Sequence, residues 1–198
     1  GNDAVRSAWP SQAATSGPAI SCLTFSLGLP LQMSDWSGLS LAVGVSVARS
    51  LHPDLKLKWP NDVWLQGRKL AGILIETASI GPMRYAVIGT GANISAPSPE
   101  GLATPPAWLQ ELWPGVDAPQ ALLRLAAPLV RAVKQFEAQG LTPFRKALAD
   151  CDALAGRSVS LSDGTEGRAR GVDASGALLV HTSAGLKRIS SSEVTVRP

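Results

Sequence analysis

The sequence predicts an α+β fold: a mixed, mainly antiparallel sheet backed by helices, followed by a small C-terminal β-barrel. Three observations predict it. Between residues 55 and 94 successive alternating segments are joined by turns of two to five residues, too short for the crossovers that parallel neighbours need. Segments 34–51 and 119–140 are long and apolar at helical spacing. From residue 153 onward, Gly-containing turns recur every eight to twelve residues among short alternating strands, the pattern of a small all-β unit. A boundary near residue 153 therefore divides the chain into 1–152 and 153–198.

Residues 1–18, rich in Ser, Ala, Gly and Pro without a period, read as loop. "ISCLTFSLGL" (20–29) alternates as a strand does. Ser34 is a good N-cap for a helix that is apolar nearly all round and stops before His52-Pro53, the profile of a helix packed under a sheet. "LKLKW" (55–59) places Leu55, Leu57 and Trp59 on one face and Lys56 and Lys58 on the other, so Lys58 points away from the core. A Pro60-Asn61-Asp62 turn, the strand "VWL", a Gln66-Gly67 turn and the strand "KLAGILIET" follow, and a turn at Gly81-Pro82 leads into "RYAVIGTGANI". Residues 95–106 are a Pro-rich loop. "AWLQEL" begins helical text; the next helix has Pro119 near its start, Pro128 as a kink and Gly140 as its C-terminal cap. Thr142-Pro143 caps a last short helix running to about Asp150.

Composition excludes several classes. With 198 residues and 45% hydrophobic side chains the chain can bury a sizeable core. Its net charge of +3 is spread without Lys/Arg runs, which argues against nucleic-acid binding through these residues. Cys22 and Cys151 have no Cys or His at metal-ligand spacing, so they are expected to be two buried thiols of a reducing compartment, not zinc ligands or a disulfide. No apolar run approaches the roughly 18 residues of a membrane span, and the N-terminus lacks a signal-peptide pattern. A cytoplasmic location and no membrane partner are the expectation.

The segment "KWPNDVWLQGRKLAGILIE" (58–76) holds the chemistry. Asn61-Asp62 after Pro is by itself a turn former. Its neighbours change the reading: alternation and the hairpin bring Lys58, Lys69 and Asp62 to one end of the sheet, a cluster able to neutralise a phosphate and a carboxylate together. Gly72, Gly89 and Gly91 lie inside two successive strands, where glycine signals either bulges or close approach of a ligand to bare backbone. In the second case Ile73 and Leu74 wall a slot and Asn93 offers an amide beside it. "GTGAN" is no P-loop, since no Lys-Ser/Thr and no helix follow it. Trp108 is either a core anchor or a stacking platform, His52 and His181 lack catalytic neighbours, and "EGRAR" (166–170) reads as a solvated turn.

In order, "KWPNDV", "GRKLAGILIE" and "GTGANI", then a Trp-bearing helix, a two-helix segment and a small barrel, resemble the biotin protein ligases over nearly the whole chain. The resemblance implies a class II synthetase-like catalytic fold with an SH3-like C-terminal barrel. It implies an enzyme that joins biotin and ATP into biotinyl-5′-adenylate, then passes biotin to a lysine of the biotin carboxyl carrier protein of acetyl-CoA carboxylase. Lys69 corresponds to the active-site lysine, a biotin contact as well; Gly72, Leu74, Gly89 and Gly91 correspond to the biotin slot. Lys58, Asn61 and Asp62 fall on the nucleotide side, with Asn61 and Asp62 as magnesium ligands and Asp62 as acceptor of the incoming lysine's proton. Asn93 corresponds to a residue near the phosphates and Trp108 to the one that stacks on adenine. One departure stands out: of the family's upstream Gly/Arg loop only Trp9 and Arg6 have counterparts, so the chain is expected to be the C-terminal part of a longer ligase. A binding module that holds biotin or its adenylate without ligating it, or a lipoate or octanoyl transferase, are the alternatives; a homodimer is left open.

Overall fold

The computed structural model describes residues 22–96, 105–191 and 194–196. The expectations for Arg6, Trp9 and most of the Pro-rich loop lie outside these residues. Among the described residues, ten strands form two five-stranded sheets. In the first, β2 (Lys56–Lys58), β3 (Asp62–Leu65), β4 (Arg68–Ile80) and β5 (Met83–Asn93) make a meander, and β1 (Cys22–Pro30) lies along the far edge of β5, giving the order β1-β5-β4-β3-β2. Every pairing between named strands is antiparallel, not mixed; the one parallel link described is an isolated bridge between Leu57 and Asp152. Short turns dictate this. Gln66 and Gly67 both hold positive φ, as a two-residue hairpin loop requires. The helix that follows β1 carries the chain across the sheet, so β1 and β2 end on opposite edges.

That helix, α1 (Leu39–Leu51), starts four residues later than the Ser34 cap predicts. The intervening residues satisfy one another instead: Asp35 Oδ1 accepts the Ser37 N–H at 2.8 Å and the Trp36 indole donates to the Met33 carbonyl. Gly38, at φ +84°, then ends the turn and begins the helix. With α2 (Ala118–Gln139), α1 covers the inner face of the sheet, and Val63, Ile73, Ala86 and Ile88 share one core with Val43, Val47, Leu125 and Leu129. Asp117 and Gln120 cap α2 reciprocally, Pro128 lies inside a helix that continues past it, and Gly140 closes the C-terminal end. A 3₁₀ turn at Thr142–Phe144 leads into α3 (Arg145–Cys151). Cys151 is buried, which pushes its thiol pKa up, whereas Cys22 is exposed on the edge strand, contrary to expectation.

The second sheet comprises β6 (Ser158–Leu161), β7 (Glu166–Val172), β8 (Leu178–Thr182), β9 (Gly185–Ile189) and β10 (Val194–Val196), in the order β10-β6-β7-β8-β9. Among the described residues it is an open sheet. "EGRAR" is not a turn but the body of β7, whose Arg168 and Ala169 pair with β8. Both sheets share one continuous apolar core. Across the junction the Ala153 N–H donates to the Leu57 carbonyl, and the buried Trp59 indole donates to the Gly176 carbonyl at 2.9 Å.

Candidate active site

Directly opposed residues of an antiparallel sheet share a face, and one such row crosses the whole first sheet: Lys58, Asp62, Gly72, Gly91 and Thr24. The next row holds Leu74, Gly89 and Ser26. Within these two rows the charged side chains stand at the β2–β3 end and the centre is bare backbone; two residues beyond Leu74 the same face carries the exposed Glu76. Over it opens a concavity of about 250 Å³ lined by Asn61, Asp62, Lys69, Gly72, Ile73, Leu74, Gly89 and Gly91. The structure thus brings the expected slot residues together. Leu74, 48% exposed, is its apolar wall, while Ile73, only 3% exposed, belongs to the core.

Lys69 reaches this face through an irregularity. Val63 pairs with Ala71 but Trp64 pairs with Lys69, so Leu70 is an extra residue, a β-bulge in β4. In a regular strand Lys69 and Gly72, three apart, would point to opposite faces. The bulge turns Lys69 outward, and its ammonium lies 2.7 Å from Asp62 Oδ1. It also accounts for one glycine: a Cβ on Gly72 would stand 3.3 Å from Lys69 Nζ. Gly89 differs, because a Cβ there meets nothing nearer than 3.5 Å and β4, β5 and β1 run past it in unbroken register. Neither the chain's packing nor a bulge demands that glycine. What its absent side chain leaves is room above the floor.

The two asparagines are braces. Asn61 Nδ2 donates to the Ile73 carbonyl at 2.8 Å while the Ile73 N–H returns to the Asn61 carbonyl, lashing the turn after Pro60 to β4. Asn93 Nδ2 donates to the Ala107 carbonyl, and the Ala107 N–H donates to the Lys69 carbonyl. Segment 105–111 is thereby held beside Lys69. Trp108 is half-buried there, with the Arg68 guanidinium 5.9 Å from its ring centroid. Arg68 makes a two-pronged bond to Glu111, which also accepts the Trp108 N–H at 3.0 Å. Arg68's hydrogen bond holds the Glu111 carboxyl below its ordinary range.

Sequence reasoning missed Arg68 and Glu111 as the holders of Trp108, because their partnership spans 43 residues and leaves no local pattern. It also expected Lys58 and Lys69 side by side. They are instead separated by β3, with Asp62 against Lys69 and the Lys58 ammonium 5.0 Å over the Trp64 ring. Trp64 was legible in principle, since strand alternation puts it on the same face as Asp62. No group of three or more His, Cys, Asp or Glu side chains gathers among the described residues. The His52 imidazole accepts the Asp54 N–H and lies near that residue's carboxylate, and His181 is exposed.

Two family models match the chain: the biotin/lipoate A/B protein ligase family over residues 15–93 and the biotin protein ligase C-terminal domain over 156–197. The bifunctional ligase/repressor BirA of Escherichia coli is 36% identical over 170 residues, covering 81% of this chain and 53% of that protein. The chain thus spans about half the length of such relatives. The biotin–[acetyl-CoA-carboxylase] ligase of Paracoccus denitrificans is 36% identical over 172 residues, covering 82% of this chain and 72% of that one. Among solved structures, the Aquifex aeolicus biotin protein ligase in complex with biotin and ATP superposes with a TM-score of 0.74 at 25% identity, covering 88% of this chain and 78% of that one. A point mutant of the same Aquifex enzyme, in complex with biotin, reaches 0.78 at 26%, covering 89% and 78%. With a third of its residues shared over most of the Paracoccus enzyme, and with both family models in their places along it, the chain belongs to the biotin protein ligase family.

Proposed function

We propose that the chain carries out ATP-dependent biotinylation, forming biotinyl-5′-AMP and transferring the biotinyl group to a lysine of the biotin carboxyl carrier protein of acetyl-CoA carboxylase. The observation that carries this reading is the glycine floor ending at the Lys69–Asp62 pair, a slender apolar slot closed by one oriented cation. The relatives' names and the Aquifex complex with biotin and ATP support it.

In this reading the biotin ring system lies on Gly72, Gly89 and Gly91 against Leu74, with its carboxylate toward Lys69. Carboxylate and α-phosphate repel each other; an ammonium between them removes that repulsion and offsets charge developing as the carboxylate oxygen attacks phosphorus and pyrophosphate leaves. Asp62 fixes where that ammonium sits. In the second step the carrier amine attacks the acyl carbon and AMP departs, with Asp62 taking the amine's proton. Arg68 and Glu111 hold Trp108 for the adenine, and Lys58, Asn61 and Asn93 complete the nucleotide side. Magnesium fits only as an ion delivered with the nucleotide: the Asn61 amide nitrogen is engaged, leaving its oxygen, and the Asp62 ion pair runs through Oδ1. When bound it would neutralise phosphate charge. The same reading takes the C-terminal sheet as the family's SH3-like barrel, and the protein as cytoplasmic; among the described residues no helix is long and apolar enough to cross a membrane.

The test is biotin-dependent ATP–pyrophosphate exchange, followed by transfer of biotin to a purified carrier domain. Exchange with transfer is expected. Tight biotin binding with neither would replace the ligase by a binding module, and exchange driven by lipoate instead would redirect the substrate.

A further inference from the structure

Trp64 stands where the fold does not need it. Its strand neighbours Val63 and Leu65 are buried in the core, whereas Trp64 lies on the opposite face and only half-buried. In register it sits directly between Lys56 of β2 and Lys69 of β4, and diagonal to Lys58. Lys56 is drawn away, its ammonium donating to the Asp150 carbonyl at 2.9 Å. Lys69 is held by Asp62. Lys58 is the lysine whose ammonium stands over the indole face, 5.0 Å from the centroid. The indole N–H is buried and has no hydrogen-bond partner. Of the indole, then, the π face is what the site uses.

An ammonium on a four-carbon stem has many rotamers, and holding it at one place costs entropy each time a ligand needs it there. An aromatic face is negative and sets a preferred place for a cation. We infer that Trp64 is a positioning residue for the nucleotide, keeping the Lys58 ammonium over β3 at the charged end of the floor, next to the Asp62–Lys69 pair, where the polyphosphate has to lie. Trp64 acts through Lys58 and touches neither substrate. The inference rests on the ligase reading for the identity of the anion, and on the geometry alone for the pairing.

The experiment compares the unmodified chain with Trp64→Leu, Trp64→Phe, Lys58→Met and the Trp64→Leu/Lys58→Met double variant. ATP binding is measured by calorimetry, pyrophosphate exchange is measured with ATP and biotin varied separately, and thermal melting checks the fold. Trp64→Leu is expected to weaken ATP binding and raise the ATP KM about five- to tenfold, the scale of one partly desolvated cation–π contact. The biotin KM should not move. The double variant should be no worse than Lys58→Met, since two residues acting as one unit are not additive. Trp64→Phe keeps a smaller π face and loses the unpaired N–H together with one ring, so it should recover part of the loss. Unchanged ATP affinity in Trp64→Leu, equal losses for both substrates, or full additivity would each overturn the inference. Absence of exchange in the unmodified chain would sink the ligase reading, while the calorimetric comparison would still decide the role of Trp64.

Discussion

Lys69 and Gly89 make the same site by opposite means, one by presenting a charge and the other by presenting nothing. Replacing Lys69 by Ala removes the ammonium that lies 2.7 Å from Asp62 and should slow adenylate formation by roughly 10²-fold, the cost of losing an oxyanion-type donor. Single-turnover formation of the adenylate measures it, and near-normal turnover would reduce Lys69 to a hairpin surface residue. For Gly89→Val the packing predicts a clean separation: a Cβ there meets no closer neighbour than 3.5 Å, and valine suits a strand. Biotin binding should collapse while the melting temperature changes little, which calorimetry and thermal melts together would reveal. Gly72 offers no such separation, since a Cβ presses on the Lys69 ammonium as well. These residue types were legible in the sequence because glycine inside a strand is rare enough to mean something. Which glycine serves a ligand and which serves Lys69 was not, because that depends on a bulge one residue away.

At the scale of elements, local chemistry was readable and long-range partnership was not. Alternation located β2 through β5 because each buries one face and each turn carries its own residues, as Gln66-Gly67 does. The start of α1 was misplaced because Ser34 is a competent cap that lost to the Asp35 turn and Gly38 downstream. The β7 error has a similar cause: charged residues alternating with Gly and Ala look like a turn until a neighbour strand is known. The turn between β7 and β8 meets α1 through Gly176, at φ +86°, whose Cβ would lie 2.9 Å from the Gly38 Cα. Gly176→Ala should therefore cost about 1–3 kcal/mol through backbone strain and the clash. Trp59→Phe, which strips the Gly176 carbonyl of its buried donor, should cost about 1–3 kcal/mol by another route. Denaturant melts of both, with exchange activity alongside, would tell whether the turn bearing Asp62 depends on this seat; unchanged stability in both would mean the junction is soft.

For the whole molecule, the boundary near residue 153 coincides with the change of sheet, yet the core runs across it unbroken. The turn-rich pattern that announced the second sheet is a property of sequence; the shared core is a property of packing between residues far apart. Acid should weaken the second sheet. A hydrogen bond from Arg188 holds the Asp173 carboxyl below its ordinary 3.8, and one from Lys187 does the same for Asp163. A carboxyl depressed on folding contributes stability that is present above its ordinary value and is lost as pH falls toward the folded one. Asp152 works the other way: burial raises its pKa, so whatever it contributes is present at low pH and lost as pH rises through the raised value. Melting temperature should therefore fall as pH is lowered below about 4, and Asp173→Asn should flatten that decline. An unchanged acid limb in the variant would show that the Arg188 pair contributes nothing.

The floor of Gly72, Gly89 and Gly91 also limits how this pocket can be redesigned. A pocket is enlarged by shaving side chains, and here the base has none to shave. Any altered cofactor mimic that is thicker than the natural one must gain its clearance sideways, by shortening Leu74 or by changing Thr24 and Ser26 along the edge strand. Libraries aimed at new labelling reagents should spend their diversity on those rims, because every substitution in the floor can only make the slot shallower.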